Sequence, residues 1–362
     1  MHITASHEEL KEILELTARI STKHLTLPAL QSVFLEAKNS KLVVRGTNLE
    51  IGIEGTVQAS VKDEGTVCVS ATTLLQTITL IDQKEVVLRT EGEVLIVETK
   101  TSKTSINTTP VGDFPTIPKV GGQGQTVQGK IFALGIKTAA FAASQSSIKP
   151  ELGSVYVYQR KEHSCTMVAT DSFRLVEKTV PEQQLILESP ILIPFKNAAE
   201  LARVCEIKEE SPKFYVSENQ CALEFSNLYI TSRLTSGTFP DYNQIIPKEF
   251  ATHTTLLTGD LQNALKKTGI FLNKFMQLTL SVRSASIELT SKGDFGTTTE
   301  RLSATTEGDD IILNFNQRYI QEILPYVTDE SLTIHFAGIG RPIVIEGVHD
   351  RSLRYLVMPM NK

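Results

Sequence analysis

The residues of this chain best suited to chemistry lie close to its midpoint, in the run Met167-Val168-Ala169-Thr170-Asp171-Ser172-Phe173-Arg174-Leu175. Asp171 near Arg174 sets a carboxylate beside a guanidinium, and His163, His335 and His349 elsewhere add groups that could exchange protons near neutral pH. The motifs that would make such groups catalytic are missing. The chain holds no nucleophile elbow and no HExxH, and Gly121-Gly122-Gln123-Gly124 lacks the Lys-Ser/Thr and the helix that a phosphate loop needs. Cys68, Cys165, Cys205 and Cys221 lie far apart without CxxC or Cys/His spacing, so free thiols are expected, with no metal site. The simpler reading is a β-turn: Asp171 and Ser172 bond their own backbone, and Arg174 is buried to hold a neighbouring loop.

The elements that would position this run recur three times. An amphipathic helical pattern opens each unit, over Glu8–Ile20, Ile131–Ala143 and Leu261–Phe271, with apolar residues three and four apart. A strand pair around a polar turn follows: Val33–Ala37 with Lys41–Gly46, Ser154–Gln159 with Thr166–Thr170, and Gln277–Val282 with Ser286–Thr290. Second helices are expected over Ala71–Ile81, Pro194–Cys205 and Asn316–Leu324. Second hairpins follow at Val86–Thr90 with Val94–Glu98, Lys213–Ser217 with Cys221–Phe225, and Leu332–Phe336 with Ile343–Ile345. Each unit closes on an apolar residue and Pro, at Phe114-Pro115, Phe239-Pro240 and Met358-Pro359. Thr47, Thr170 and Thr290 recur at intervals of 123 and 120 residues, which makes the unit domain-sized and the chain a triplicated domain.

This pattern predicts an α+β fold of three repeated domains, 1–120, 125–246 and 250–362, each with two helices packed on antiparallel sheet. A Gly-rich linker over 118–125 and a break at Pro247 mark the joints. Sheets continuing from one domain into the next would cover their edges, and an arc of three domains whose ends match would close with a second copy into a ring of six.

Composition narrows the functional classes. At 41% apolar and 21% charged, 362 residues suffice for several ordinary cores, and no apolar run approaches the ~18 residues of a membrane span, so a cytoplasmic protein is expected. A formal charge of −5 excludes a surface that is basic throughout but not one basic face. The absence of Trp and 6% aromatics disfavour a base-stacking single-strand binder.

Read together, "TLPAL" at 26–30, "GTNLE" at 46–50, "DFP" at 113–115, "ATDSFRL" at 169–175, "FPDY" at 239–242 and "VMPM" at 357–360 resemble the bacterial β sliding clamps, the processivity subunits of DNA polymerase III. The resemblance spans the whole chain. It implies the DNA clamp fold, a head-to-tail homodimeric ring around double-stranded DNA read without sequence preference, no cofactor and no catalysis. It also implies a partner pocket for the polymerase III alpha subunit, the clamp loader delta subunit and other clamp-motif proteins. Carried over by position, that pocket is Leu152, Thr170, Ser172, Phe173, Arg174, Leu175, Pro240 and Ile245, with Asn316, Tyr319, Pro342, Leu356, Met358, Pro359 and Met360. Aliphatic and thioether groups suit such a site, because they accept Leu and Phe side chains and Met adapts its shape. The family usually has Gly-His where this chain has Ser172-Phe173, an exchange of an imidazole for an aromatic wall.

Encircled DNA needs Lys and Arg that meet phosphates. On the helices or beside them these are Lys11, Arg19, Lys23, His24, Lys137, Lys149, Lys196, Arg203, Lys266, Lys267 and Lys274, with Lys100 and Lys103 in a loop at the ring face; acidic residues are expected to cluster elsewhere, as over 206–210 and 307–310. Only Lys23 and His24 stand near a basic position common in the family, and Ala71-Thr72-Thr73 lacks the positive charge often found at that helix start. The dimer joint is expected to bring Ile270 and Phe271 against the partner's first domain near Leu75, Leu80 and Ile106. A β-rich scaffold that binds only protein is the competing reading; it shares the pocket but not the basic inner face.

Overall fold

The computed structural model describes residues 1–21, 27–161, 163–181 and 185–360. Its element order is a strand, a helix and three further strands, repeated six times. The first copy is β1 (His2–Ser6), α1 (His7–Ile20), β2 (Ser32–Lys38), β3 (Lys41–Thr47) and β4 (Ile51–Asp63). The second is β5 (Gly65–Ser70), α2 (Ala71–Thr79), β6 (Glu85–Glu91), β7 (Val94–Glu98) and β8 (Lys103–Thr109). Next come β9 (Gln125–Thr126), α3 (Gly129–Ala140), β10 (Ser154–Lys161), β11 (Ser164–Thr170) and β12 (Arg174–Pro181), then β13 (Ile191–Pro194), α4 (Phe195–Ile207), β14 (Lys213–Val216), β15 (Gln220–Glu224) and β16 (Leu228–Arg233). The fifth copy is β17 (Thr252–Leu257), α5 (Thr258–Thr268), β18 (Gln277–Arg283), β19 (Ser286–Gly293) and a third strand broken at Ala304 into β20 (Gly296–Ser303) and β21 (Thr305–Gly308). The sixth is β22 (Ile311–Asn316), α6 (Gln317–Ile323), β23 (Ser331–Phe336), β24 (Ile343–Gly347) and β25 (Leu353–Val357).

The helices form where the periodicity places them. Polar caps start several: Ser6 Oγ accepts from the Glu9 N–H at 3.4 Å, Ser70 Oγ from Thr73 at 3.3 Å, and Asn316 Oδ1 from Arg318 at 3.0 Å. Leu10, Ile13, Leu14 and Leu16 of α1 are buried. α1 packs so closely on β3 and β4 that a Cβ at Gly46 would lie 2.7 Å from the Thr17 carbonyl oxygen, and one at Gly55 2.4 Å from Ile13 Cγ2. The strand opening each copy and the third strand after each hairpin are additions to the helix-plus-hairpin pattern read from the sequence.

Contacts divide the chain into two units, residues 1–129 with 203–234, and 130–202 with 235–362. In the first, all strands join one antiparallel sheet, β1-β6-β7-β8-β5-β2-β3-β4-β16-β15-β14-β9, with β4 also returning to β1. β4 is long enough to serve both neighbours: Ile51 to Gly55 pair with β16 while Ala59 to Asp63 pair with β1. The division falls inside the second repeat because of that β4–β16 ladder. In the other unit, β13-β10-β11-β12-β25-β24-β23-β17-β21 form one sheet and β20-β19-β18-β22 another, and β12–β25 is built as β4–β16 is.

Two details differ from the sequence expectation. The start of the 118–125 linker is fastened and not free: the Val120 N–H donates to the Tyr229 hydroxyl at 2.8 Å, and Lys119 lies over the Tyr229 ring and 3.0 Å from Glu54. Thr290 does not begin a turn as Thr47 and Thr170 do. It pairs with Thr299 inside a hairpin that runs on to Gly293 and Gly296, lifting Phe295 to 94% exposure at its tip.

Candidate functional site

The Asp171 turn is an Asx turn held from four directions. Thr170 Oγ1 donates to the Arg174 carbonyl at 2.6 Å and accepts from the Ser172 N–H at 3.1 Å; Asp171 Oδ1 accepts from the Phe173 and Arg174 N–H groups at 2.9 and 3.0 Å. Residues 47–51 repeat the arrangement bond for bond, with Asn48 in the place of Asp171. The third turn residue is left-handed in both, Ser172 at φ 78° and Leu49 at φ 75°. Phe173 is thereby turned outward, 60% exposed.

Arg174 is buried, as the simpler sequence reading has it, and its whole guanidinium is engaged. Nε donates to Asp171 Oδ2 at 3.0 Å, one terminal nitrogen to Glu322, and the other to the Phe141 carbonyl at 2.9 Å; the group lies over the Phe141 and Tyr319 rings. Burial alone would lower its pKa, but Tyr355, Glu322 and Asp171 outweigh that and hold it above the ordinary value. Burial likewise acts to raise Glu322, yet bonds from Arg174 and Arg318 keep it below the usual carboxylate range. Arg174 thus positions the turn. Glu322 and Phe141, which complete the arrangement, were missed from the sequence because nothing in spacing links position 174 to position 322.

The C-terminal segment lies across the same place. The Met358 N–H donates to the Phe173 carbonyl at 2.8 Å, and the Met360 N–H to the Asn314 carbonyl at 2.7 Å. Beneath it, Leu175 and Leu356 face each other across β12–β25 in a buried cluster with Val168, Leu192, Phe239, Tyr242 and Val344, against which Met358 packs. Leu175 and Leu356 are floor, essentially without exposure, while Phe173, Pro240 and Ile245 are exposed and Tyr319, Pro342, Met358, Pro359 and Met360 half-buried. Asn316 caps α6, Thr170 is consumed by the turn, and Leu152 is buried at the base of the 144–153 loop, outside that cluster. The surface left over is an aliphatic, thioether and aromatic shelf with a few backbone groups, suited to a short apolar peptide and without a reactive group.

Of the basic residues, Lys100, Lys103, Lys137, Lys149, Lys196, Lys266, Lys267 and Lys274 are exposed, Lys11 and Arg203 half-buried, and Lys23 and His24 lie outside the described residues. Lys267 is 2.8 Å from Glu300. The expectation that acidic residues keep off the helices does not hold for α1, which exposes Glu8, Glu9 and Glu15 beside Arg19. Among the proposed dimer residues, Leu80 and Ile270 are 86% and 72% exposed, Leu75 and Phe271 half-buried, and Ile106 is buried within its own unit. Exposed Phe275 and Phe295 follow Ile270 in sequence and were not singled out by spacing, since they sit in turns without periodicity. All four cysteines are buried and free; burial pushes the Cys68, Cys205 and Cys221 thiols up to about 12. Among the described residues no group of three or more His, Cys, Asp or Glu is placed to hold a metal ion, and no helix is long and apolar enough to cross a membrane.

The repeated copies, their shared strand-to-strand joint and the apolar shelf define the class, a three-domain clamp fold. Family models of the DNA polymerase III beta subunit match in series: the N-terminal domain over residues 1–118, the central domain over 126–241 and the C-terminal domain over 243–361. The beta sliding clamp of Staphylococcus aureus is 25% identical over 360 residues, covering 95% of each chain. A DNA polymerase III beta subunit from Thermotoga maritima superposes with a TM-score of 0.93 at 22% identity, over 100% of this chain and 99% of that one. A sliding clamp from Pseudomonas aeruginosa solved bound to griselimycin gives 0.93 at 22% identity over 100% of both. The chain belongs to the DNA polymerase III beta subunit family, the bacterial sliding clamps, whose members are accessory subunits and not enzymes.

Proposed function

We propose that this chain pairs head to tail with a second copy into a cytoplasmic ring of six domains, with repeats at 1–120, 125–246 and 250–362, that holds duplex DNA by encirclement and tethers proteins through the Phe173–Met358 shelf. The observation that carries this reading is the joint used twice. β4 meets β16, and β12 meets β25, antiparallel and at equivalent positions of the repeat. Carried round once more, the rule calls for β20 to meet β8. Among the described residues β20 pairs with β19 alone, and Lys103 to Asn107 of β8 pair with β7 alone. An edge at each end of the repeat order is what a second copy would cover, and exposed Ile270 with Phe295 on one side and Leu80 on the other would seal that contact.

Tethering follows from the shelf. A Leu or Phe side chain of a partner would cover Met358 and Phe173 while its backbone finds the polar groups at the edge. The partners supported by the family resemblance are the polymerase III alpha subunit, the clamp loader delta subunit and other proteins with a clamp-binding motif. Deleting Met358–Lys362 is expected to abolish binding of a labelled Glu-Leu-Asp-Leu-Phe pentapeptide in fluorescence anisotropy, with the dimer mass retained. Unchanged peptide affinity would remove the shelf from the binding site.

A further inference from the structure

The joint that carries the Phe173–Met358 shelf occurs a second time in the chain, and there the shelf is rebuilt in other residues. At β12–β25 the Met358 N–H donates to the Phe173 carbonyl at 2.8 Å, and Leu175 faces Leu356. At β4–β16 the Arg233 N–H donates to the Glu50 carbonyl at the same 2.8 Å, and Gly52 faces Thr231. Position by position, Arg233 stands for Met358, Glu50 for Phe173, and Gly52 with Thr231 for the leucine floor.

A cavity of about 220 Å³ opens at this joint, lined by Leu49, Glu50, Ile117, Gln220 and Arg233 among others. It is smaller than the roughly 300–1,000 Å³ of small-molecule sites, which suits one or two peptide side chains. Gly52 shapes it: a Cβ there would lie 2.9 Å from Ile117 Cγ2, so Ile117 comes up against bare backbone and forms an apolar wall. The segment that carries Ile117 is pinned by the Tyr229 hydroxyl, which donates to the Pro118 carbonyl at 3.3 Å and accepts from the Val120 N–H at 2.8 Å. Leu49, exposed on its left-handed turn, supplies the other apolar surface. Arg233 is exposed, and among the described residues no carboxylate, Glu50 included, is ion-paired with it. A planar fork of donors at a cavity matches a carboxylate, which it can hold through two parallel bonds. Glu50 beside it repels a second carboxylate, so a run of acids is selected against.

We propose that this cavity is a second peptide site, which takes one Glu or Asp side chain, flanked by leucines, from an extended segment of a partner protein. The carboxylate meets Arg233, and the leucines cover Leu49 and Ile117. Two sites of one design then read different chemistry, apolar side chains at Phe173–Met358 and a single acid at Glu50–Arg233. The inference rests on the repeat and on the cavity, not on the ring or on DNA.

The test uses the full chain and anisotropy of a rhodamine-labelled, C-terminally amidated Ser-Leu-Glu-Leu-Ser, with Ser-Leu-Gln-Leu-Ser as its uncharged counterpart. The Glu peptide is expected to bind about ten-fold tighter than the Gln peptide. Arg233→Gln should remove that preference, and Arg233→Lys should restore part of it, since an ammonium keeps the charge but not the fork. Phe173→Ala, which trims the apolar shelf, should leave binding of the Glu peptide unchanged. The Glu-Leu-Asp-Leu-Phe pentapeptide, still bound by Arg233→Gln, establishes that this variant is folded and reads the apolar shelf separately. Equal binding of the two probes, a Glu-peptide affinity that Arg233→Gln leaves intact or that Phe173→Ala destroys, or no binding of the Glu peptide would each overturn the second site while the shelf stands.

Discussion

Ser172 occupies a backbone region that costs a residue with a Cβ about 1 kcal/mol or more, and it does so because the bonds from Thr170 and Asp171 leave the chain no other path. Arg174 is the other side of that bargain. Its removal would strand Asp171 and Glu322 in a partly buried place, so Arg174→Ala is expected to lower stability by about 3 kcal/mol in urea unfolding and to weaken peptide binding with it. A loss within a few tenths of a kcal/mol would mean the guanidinium is not holding the turn. The His253–His335 pair gives a pH signature. Their Nδ1 atoms lie 2.7 Å apart, within hydrogen-bond distance. Burial first, then His253 and the nearby arginines, lower the His335 pKa against the pull of Glu346. The native ring therefore binds fewer protons than the unfolded one, and stability should fall as pH drops through about 6.5. In urea titrations between pH 8 and 5, His335→Gln should flatten that fall; superimposable pH profiles would contradict it.

At the scale of elements, what could be read from the chain was periodicity. Helices α1 to α6 and the hairpins β2–β3, β10–β11 and β18–β19 announce themselves because one face is apolar at the right spacing. The last strand of each copy does not. β4 alternates, but Gly52 and Gly55 leave gaps among its apolar residues, and β20–β21, at a sheet edge, carries a single large apolar residue, Leu302, and is broken at Ala304. The reason for the glycines is also tertiary. Gly46 is where α1 touches the sheet, with no room for a methyl group against the Thr17 carbonyl. Gly46→Ala should cost about 1–3 kcal/mol of stability, measured by chemical denaturation, since backbone and not a side-chain tip must yield. A neutral result would show that α1 is free to shift. The shelf was legible at Met358 and Met360 through their place near the chain end, but its Arg174–Glu322 brace was not, since 148 residues separate the two.

For the whole molecule, charge and topology give different answers to how DNA is held. The chain carries a formal −5, and α1 presents glutamates beside its one exposed arginine, so a tight electrostatic grip is not what this surface offers. Encirclement needs none: a closed ring stays on DNA that has no end and leaves DNA that has one. The decisive measurement is retention of the full chain, placed on nicked circular plasmid by its cognate clamp loader and followed by gel filtration before and after the plasmid is cut once. The account predicts co-elution with the circle and loss from the linear form within the same run. Equal retention on both, or on neither, would contradict it.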